Sequence, residues 1–162
     1  MPNGCYVSIE GEKQGKFKGE QSFSKLAADK MTAIRVSFGA VSPRDVTTGL
    51  ATGKRLHDPV RFTKENGAST PQIFQALTQN ENLKKVVFEF TRANASSGKE
   101  EVHFVVTLTN ASVSKISTHL DQTHRGDPFD GKELVDVELT FETILIEDKI
   151  GKTTAQDDWA VD

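Results

Sequence analysis

The chain has one cysteine, one tyrosine, one tryptophan and five prolines among 162 residues. The single thiol, Cys5, excludes an intramolecular disulfide framework, and in its alternating surroundings it reads as a small buried hydrophobe. No apolar run approaches the ~18 residues that a membrane-spanning helix needs, so no membrane insertion is expected. Basic charge is not in excess: 20 Lys and Arg stand against 23 Asp and Glu, for a formal net charge of -3. Phosphate binding depends on concentrated Lys and Arg, so no nucleic-acid partner is expected. Residues Met1 to Gly4 show no basic stretch followed by an apolar core, so a Sec-type signal peptide is not expected. The reading is a protein of the cytoplasm, with export by a machine that handles folded proteins left open. At this length a single domain over residues 1–162 buries a substantial core without metal or disulfide staples.

What the chain does have is alternation. Cys5, Val7 and Ile9 alternate with Tyr6, Ser8 and Glu10, and Ile34, Val36 and Phe38 make a second stripe. Val60 and Phe62 make a short third one, then Val86, Phe88 and Phe90, then Val102, Phe104, Val106 and Leu108. The clearest is Val135, Val137, Leu139 and Phe141 against Asp136, Glu138, Thr140 and Glu142. Period-two patterning of this kind predicts antiparallel strands with one face in a core. The crossover helices that a parallel sheet requires are missing. After Leu108 the stripe changes phase, because Asn110 and Ser112 fall where core residues should be; a bulge or bend near Asn110 to Ser112 restores it.

One helix is predicted, Thr70 to Gln79, with Thr70 as cap, Pro71 at the first helical position and Asn80 as a left-handed terminator. Ile73, Phe74 and Leu77 would form its apolar face. It follows a turn-rich, charged loop and a short strand, Asp58 to Lys64. The loop from Val41 to His57 carries Pro43, Gly49 and Gly53, so it is not helical. Arg44, Asp45, Lys54 and Arg55 give it charges of both signs. It is the segment freest to reach a partner.

Catalytic and metal chemistry find little support. Gly49-x-x-x-Gly53-Lys54-Arg55 is one residue short of a phosphate-binding loop, and no Ser or Thr follows the lysine. His119, Asp121, His124 and Asp127 are the only cluster of potential metal ligands, and their irregular spacing favours solvated side chains over a tetrahedral zinc site. His57 and His103 have no carboxylate partner near them in sequence. No nucleophile elbow is present, and no cofactor is expected. The Asn94-Ala95-Ser96 and Asn110-Ala111-Ser112 sequons matter only in a secretory lumen. Gly151 to Thr154 is a turn-rich break, after which Asp157, Asp158 and Trp159 cluster at the tail. An indole is seldom left in water, so Trp159 should dock on its own barrel or on a neighbour.

Four segments matter when taken together. They are Met1-Pro2-x-x-Cys5-Tyr6-Val7-Ser8-Ile9-Glu10-Gly11 at the start and Gly53-Lys54-Arg55-Leu56-His57-Asp58-Pro59-Val60-Arg61-Phe62-Thr63-Lys64 ahead of the helix. Then come Glu100-Glu101-Val102-His103-Phe104-Val105-Val106-Thr107-Leu108-Thr109-Asn110-Ala111 and, at the tail, Thr154-Ala155-Gln156-Asp157-Asp158-Trp159. Together they resemble the opening strand, the loop and strand before the helix, the central strand and the tail of the Hcp family, the haemolysin-coregulated proteins of the type VI secretion system. They come in order and span nearly the whole chain, with no close match from Lys16 to Lys30 or from Ser42 to Thr52. The resemblance implies a mainly β fold, an antiparallel two-sheet β-barrel with one flanking α-helix. It also implies hexameric rings that stack into a tube, driven out by a contractile sheath behind a spike, with small effectors as cargo. Ring and stacking contacts are then expected at Pro43, Arg44, Asp45, Lys54, Arg55, Asp157, Asp158 and Trp159. The alternatives are a tube protein of another contractile injection machine and a small-molecule-binding β-barrel.

Overall fold

The computed structural model describes residues 4–19, 29–120 and 132–160. In chain order it has β1 (Gly4–Gly11), β2 (Gly15–Lys16), β3 (Met31–Ser37), β4 (Ala40–Val41), β5 (Leu56–His57) and β6 (Val60–Glu65). Then come α1 (Thr70–Thr78), β7 (Leu83–Ala93), β8 (Glu100–Leu120), β9 (Glu133–Thr140), β10 (Thr143–Asp148) and β11 (Thr153–Asp158). Strands β8, β7, β1, β3, β6 and β9 pair in that order, all antiparallel, and β9 returns to β8 to close a barrel. Strands β10 and β11 continue the sheet outward from β8, while β4 and β5 form a small second sheet. The described residues form the expected β-barrel with one helix.

Closure depends on β8 having two pairing faces in succession. Its residues Phe104 to Thr109 pair with β10, and Ser112 to Leu120 pair with β9. Between them Asn110 takes a left-handed φ of 50°, a conformation that Asn tolerates better than most residues. Its Nδ2 donates to Glu142 Oε2 at 2.6 Å, and its Oδ1 accepts from Asn82 Nδ2 at 3.2 Å. The buried stripe accordingly shifts from Val106 and Leu108 to Ala111 and Val113. The bend expected from the phase change is there. A second register shift between Val113 and Lys115 then brings Ile116 onto the core.

The inward faces meet in one core that includes Val7, Ile9, Phe62, Phe88, Leu108, Val135, Val137 and Leu139. The Phe62 and Phe88 rings sit edge to face at 5.6 Å, and each such fully buried side chain contributes roughly 1.5–3 kcal/mol. Cys5 is buried, as expected, and burial above all pushes its thiol up to about 12, with the nearby Glu89 charge adding to the effect. The stripe on β3 differs from its expected phase. Met31 and Ala33 are the buried residues there, a bulge lies between Ala33 and Arg35, and only beyond it do Val36 and Phe38 pack on the core. The extra residue, Ile34, drops out of the stripe.

The helix ends close to the expected place, with Asn80 at a φ of 50° after it. Its cap position is Ser69 instead of Thr70. Ile73 and Ala76 are buried, and Leu77 packs partly on the core. Phe74, expected on that face, is exposed, because the face that meets the barrel runs through positions three and four apart from Ile73. Just past the helix, Glu81 is buried. Its N–H donates to Ala76 O, and its Oε2 accepts from the backbone N–H of Lys13 and of Gln14. The end of the helix is thereby tied to the turn between β1 and β2.

Candidate interaction surface

Residues 39–58 leave the barrel as a hairpin. Asp58 N donates to Gly39 O at 2.9 Å, then Ala40 pairs with His57 and Val41 with Leu56. Further out, Thr52 N donates to Pro43 O at 3.0 Å, and Arg44 bridges to Ala51. Asp45 forms the turn at the tip. Its N–H donates to Leu50 O, its Oδ1 accepts from Thr47 N at 2.7 Å and from Thr48 N at 2.9 Å, and its carbonyl accepts from Gly49 N. These backbone donors hold the Asp45 carboxyl below its ordinary value. Gly49 takes a φ of 74°, which suits its lack of a Cβ. The two arms thus have only a few bonds between them.

Four large apolar side chains on this hairpin face solvent: Val41, Val46, Leu50 and Leu56, with Val46 fully exposed at 103%. Val41 and Leu56 are opposite each other across the arms. Single exposed apolar residues are ordinary, but four on one short projection constitute a patch. The signal was present in the sequence as valines and leucines scattered through a turn-rich loop, which charge and glycine content overshadowed.

Beneath the hairpin lies a cluster that joins it to the tail. The tail is a strand, because Asp148 Oδ1 accepts from Ile150 N and Gly151 N and turns the chain back, so that β11 pairs along the whole of β10. The turn-rich break at Gly151 to Thr154 therefore reverses the chain and does not release it. Asp157 sits opposite Ile144 on that ladder. Its Oδ2 accepts from Arg55 Nε and lies 2.8 Å from His57 Nε2. Arg55 Nη2 also donates to Asp158 O at 3.0 Å, and Thr143 Oγ1 donates to Asp158 Oδ1 at 2.9 Å. The guanidinium of Arg55, followed by the imidazole of His57, holds the Asp157 carboxyl below its ordinary value.

Aromatic packing surrounds this ion pair. The His57 side chain is only 8% exposed. Its ring is 5.3 Å from Phe141 edge to face and 6.0 Å from Trp159 in a stacked arrangement, while Trp159 meets Phe141 edge to face at 5.0 Å. Trp159 N donates to Glu142 O at 2.8 Å. The indole therefore docks on its own subunit. A groove of about 260 Å³ opens beside the cluster, lined by Phe38, Ala40, Ile144, Ile146 and Ala155 with His57 and Asp157 at one end.

Of the residues singled out in the sequence, the fold brings Arg55, Asp157, Asp158 and Trp159 together. It sends Pro43, Arg44 and Asp45 outward along the hairpin and leaves Lys54 exposed on the returning arm. Asp45 directs its carboxylate to the tip backbone, and Arg55 reaches the tail. His57, which has no carboxylate partner near it in sequence, meets one from a residue 100 positions away. His119 Nε2 lies 2.9 Å from Asp136 Oδ2, and Asp136 also accepts from Thr63 Oγ1. Asp121, His124 and Asp127 lie outside the described residues. Among the described residues, no three His, Cys, Asp or Glu converge as a metal site, and no helix is long and apolar enough to cross a membrane.

A family model described as "Type VI secretion system effector, Hcp" matches residues 6–147. The "Major exported protein" of Pseudomonas aeruginosa is 27% identical, over 98% of this chain and 96% of its own length. A solved structure of an Hcp protein superposes with a TM-score of 0.90 at 27% identity, covering 99% of this chain and all of the other. A mutant of Hcp1 from E. coli EAEC 042 gives 0.84 at 26% identity, over 97% of this chain and 99% of its own. Secreted Hcp3 of Pseudomonas aeruginosa shares the fold at a TM-score of 0.80 and 24% identity, over 99% of this chain and all of its own.

Proposed function

The chain belongs to the Hcp family of the type VI secretion system, and from that premise we propose that it is the subunit of the secreted tube, closing into hexameric rings that stack head to tail. Each position in a ring takes one chain, folded as a single domain over residues 1–162. The tube forms in the bacterial cytoplasm, and a contractile sheath expels it with a spike at its tip and small effectors in its lumen. It needs no Sec signal peptide. The role is structural, with no reaction catalysed and no cofactor held.

The observation that carries this reading is the hairpin of residues 39–58. It projects Val46 and Leu50 away from a closed barrel, leaving Val46 fully exposed and Leu50 largely so. Burying side chains of that size against a second copy contributes roughly 1.5–3 kcal/mol each. In a head-to-tail arrangement such a contact repeats from ring to ring and does not terminate. Pro43, Arg44, Asp45 and Lys54 flank the apolar tip and set its register on the neighbour. Arg55, Asp157, Asp158 and Trp159 support it from below. A small-molecule-binding barrel is less well supported, because the barrel interior is filled by Phe62, Phe88, Leu108 and Val137.

Negative-stain microscopy and light scattering of the purified protein test the proposal. Hollow rings of six subunits, and stacks of them at high concentration, are the expected result. A monomer at every concentration refutes it. Deleting Asp45 to Thr52 should leave rings and abolish stacks; stacks that persist refute the part assigned to the hairpin.

A further inference from the structure

We infer that Asp157 is a positioning residue: through Arg55 and His57 it fixes the direction in which the hairpin leaves the barrel, so the tail strand aims the docking element. The inference deepens the stacking role proposed for the hairpin. Its own content, the pose of the hairpin, is measurable without any assembly.

Three observations carry it. First, the hairpin has little of its own to hold it on the barrel. Two residue pairs join β4 to β5, one isolated bridge joins Arg44 to Ala51, and a single backbone bond from Asp58 N to Gly39 O closes the base. A ladder this short has a soft root. Second, two of the cationic or potentially cationic groups on the returning arm converge on one carboxylate oxygen. Arg55 Nε and His57 Nε2 share Asp157 Oδ2, and Arg55 adds a second bond to the carbonyl of Asp158. A forked guanidinium held at two points fixes direction as well as distance. Third, the anchor itself is rigid. Asp157 lies near the end of a strand that pairs with β10 over six consecutive residue pairs, and the next residue but one, Trp159, is pinned between His57 and Phe141. The imidazole packed among these rings has little room to turn. The hairpin direction is thus determined by a residue 100 positions further along the chain from His57.

The test places one spin label at Val46, at the exposed tip, and a second at Lys84, exposed on β7, and measures the distance distribution between them in the full chain kept dissociated. A narrow distribution is expected for the otherwise unaltered chain. Asp157→Asn keeps the shape and loses the charge, and it should broaden the distribution. Arg55→Gln should broaden it from the other side of the pair. Asp157→Glu should restore most of the narrowness by keeping the acceptor. Circular dichroism checks that each variant retains its barrel. Distributions as narrow in Asp157→Asn and Arg55→Gln as in the parent overturn the inference, whatever happens to assembly. Broadened distributions with undiminished stacking uphold the positioning role and count against the hairpin as the stacking element instead.

Discussion

Replacing Trp159 with alanine separates what the tail does for one subunit from what it does between subunits. The indole packs edge to face on Phe141 at 5.0 Å and stacks on His57, and it is half-buried within its own chain. An aromatic pair of this geometry contributes about 0.5–1.5 kcal/mol beyond the area it covers. Removing a fully buried large aromatic costs about 3–5 kcal/mol, and a half-buried one correspondingly less. The two together put the loss at about 2–3 kcal/mol within the isolated subunit. For a chain of this size that lowers the melting midpoint by about 4–12 °C. Thermal unfolding followed by far-ultraviolet circular dichroism is the assay, performed on the chain lacking Asp45 to Thr52 at dilutions where light scattering sees no rings. Trp159→Phe should recover part of the loss, since a smaller ring still meets Phe141. An unchanged midpoint in Trp159→Ala would refute the reasoning and move the energetic role of the indole to the boundary between subunits. In the parent chain, an emission maximum typical of a fully solvated indole would refute it independently.

Phe88→Ala, at a position with no exposure against Phe62, should cost about 3–5 kcal/mol in a chemical denaturation experiment. Gly11→Ala would put a Cβ 2.1 Å from Glu81 Oε2 and 3.1 Å from Phe17 Cε1. It should displace the buried carboxylate and lower stability by about 1–3 kcal/mol, and a melting point equal to the parent's would show that Glu81 does not hold the turn. Asp148 has its carboxyl held below the ordinary 3.8 by the backbone donors of Gly151 and Ile150. A depressed folded value means that this contribution is complete above the unfolded value and is lost as pH falls through the folded one. The stability difference between the parent and Asp148→Ala should therefore be constant near neutrality and shrink below about pH 4. A difference that grows on acidification contradicts the assignment.

The barrel was legible because period two survives in six of its strands, and even the bend in β8 showed itself, as a stripe that breaks at Asn110. A local irregularity was visible where it displaced polar residues into core positions. It was invisible on β3, where Ile34 is apolar on either side of the bulge and the pattern stays superficially regular. Phe74 misled for a similar reason: a short helix offers two overlapping apolar arcs, and only the position of β8 selects one. Members of the cluster around Asp157 stood out in the sequence, but the meeting of Arg55 and His57 with that carboxylate did not. Arg55 and His57 gain their carboxylate from the far end of the chain because β10 and β11 fold back along β8, and no local spacing encodes that meeting. The tail was legible as a place where an indole must find cover. That it found cover by forming a strand depended on Asp148 turning the chain.

The continuity of the main sheet also bears on what this protein can be exposed to. Closing β9 onto β8 gives every barrel strand a partner on both sides along at least part of its length, and beyond β10 the strand β11 is the outer edge of that sheet. That flank is blunted: the strand is short, and it ends in Asp157 and Asp158, just before the half-buried Trp159. Like charges laid side by side resist strand-to-strand accretion between copies. At that outer edge, association between copies is left to side chains, and amyloid-like pairing meets a short, charged strand in place of a long, neutral template.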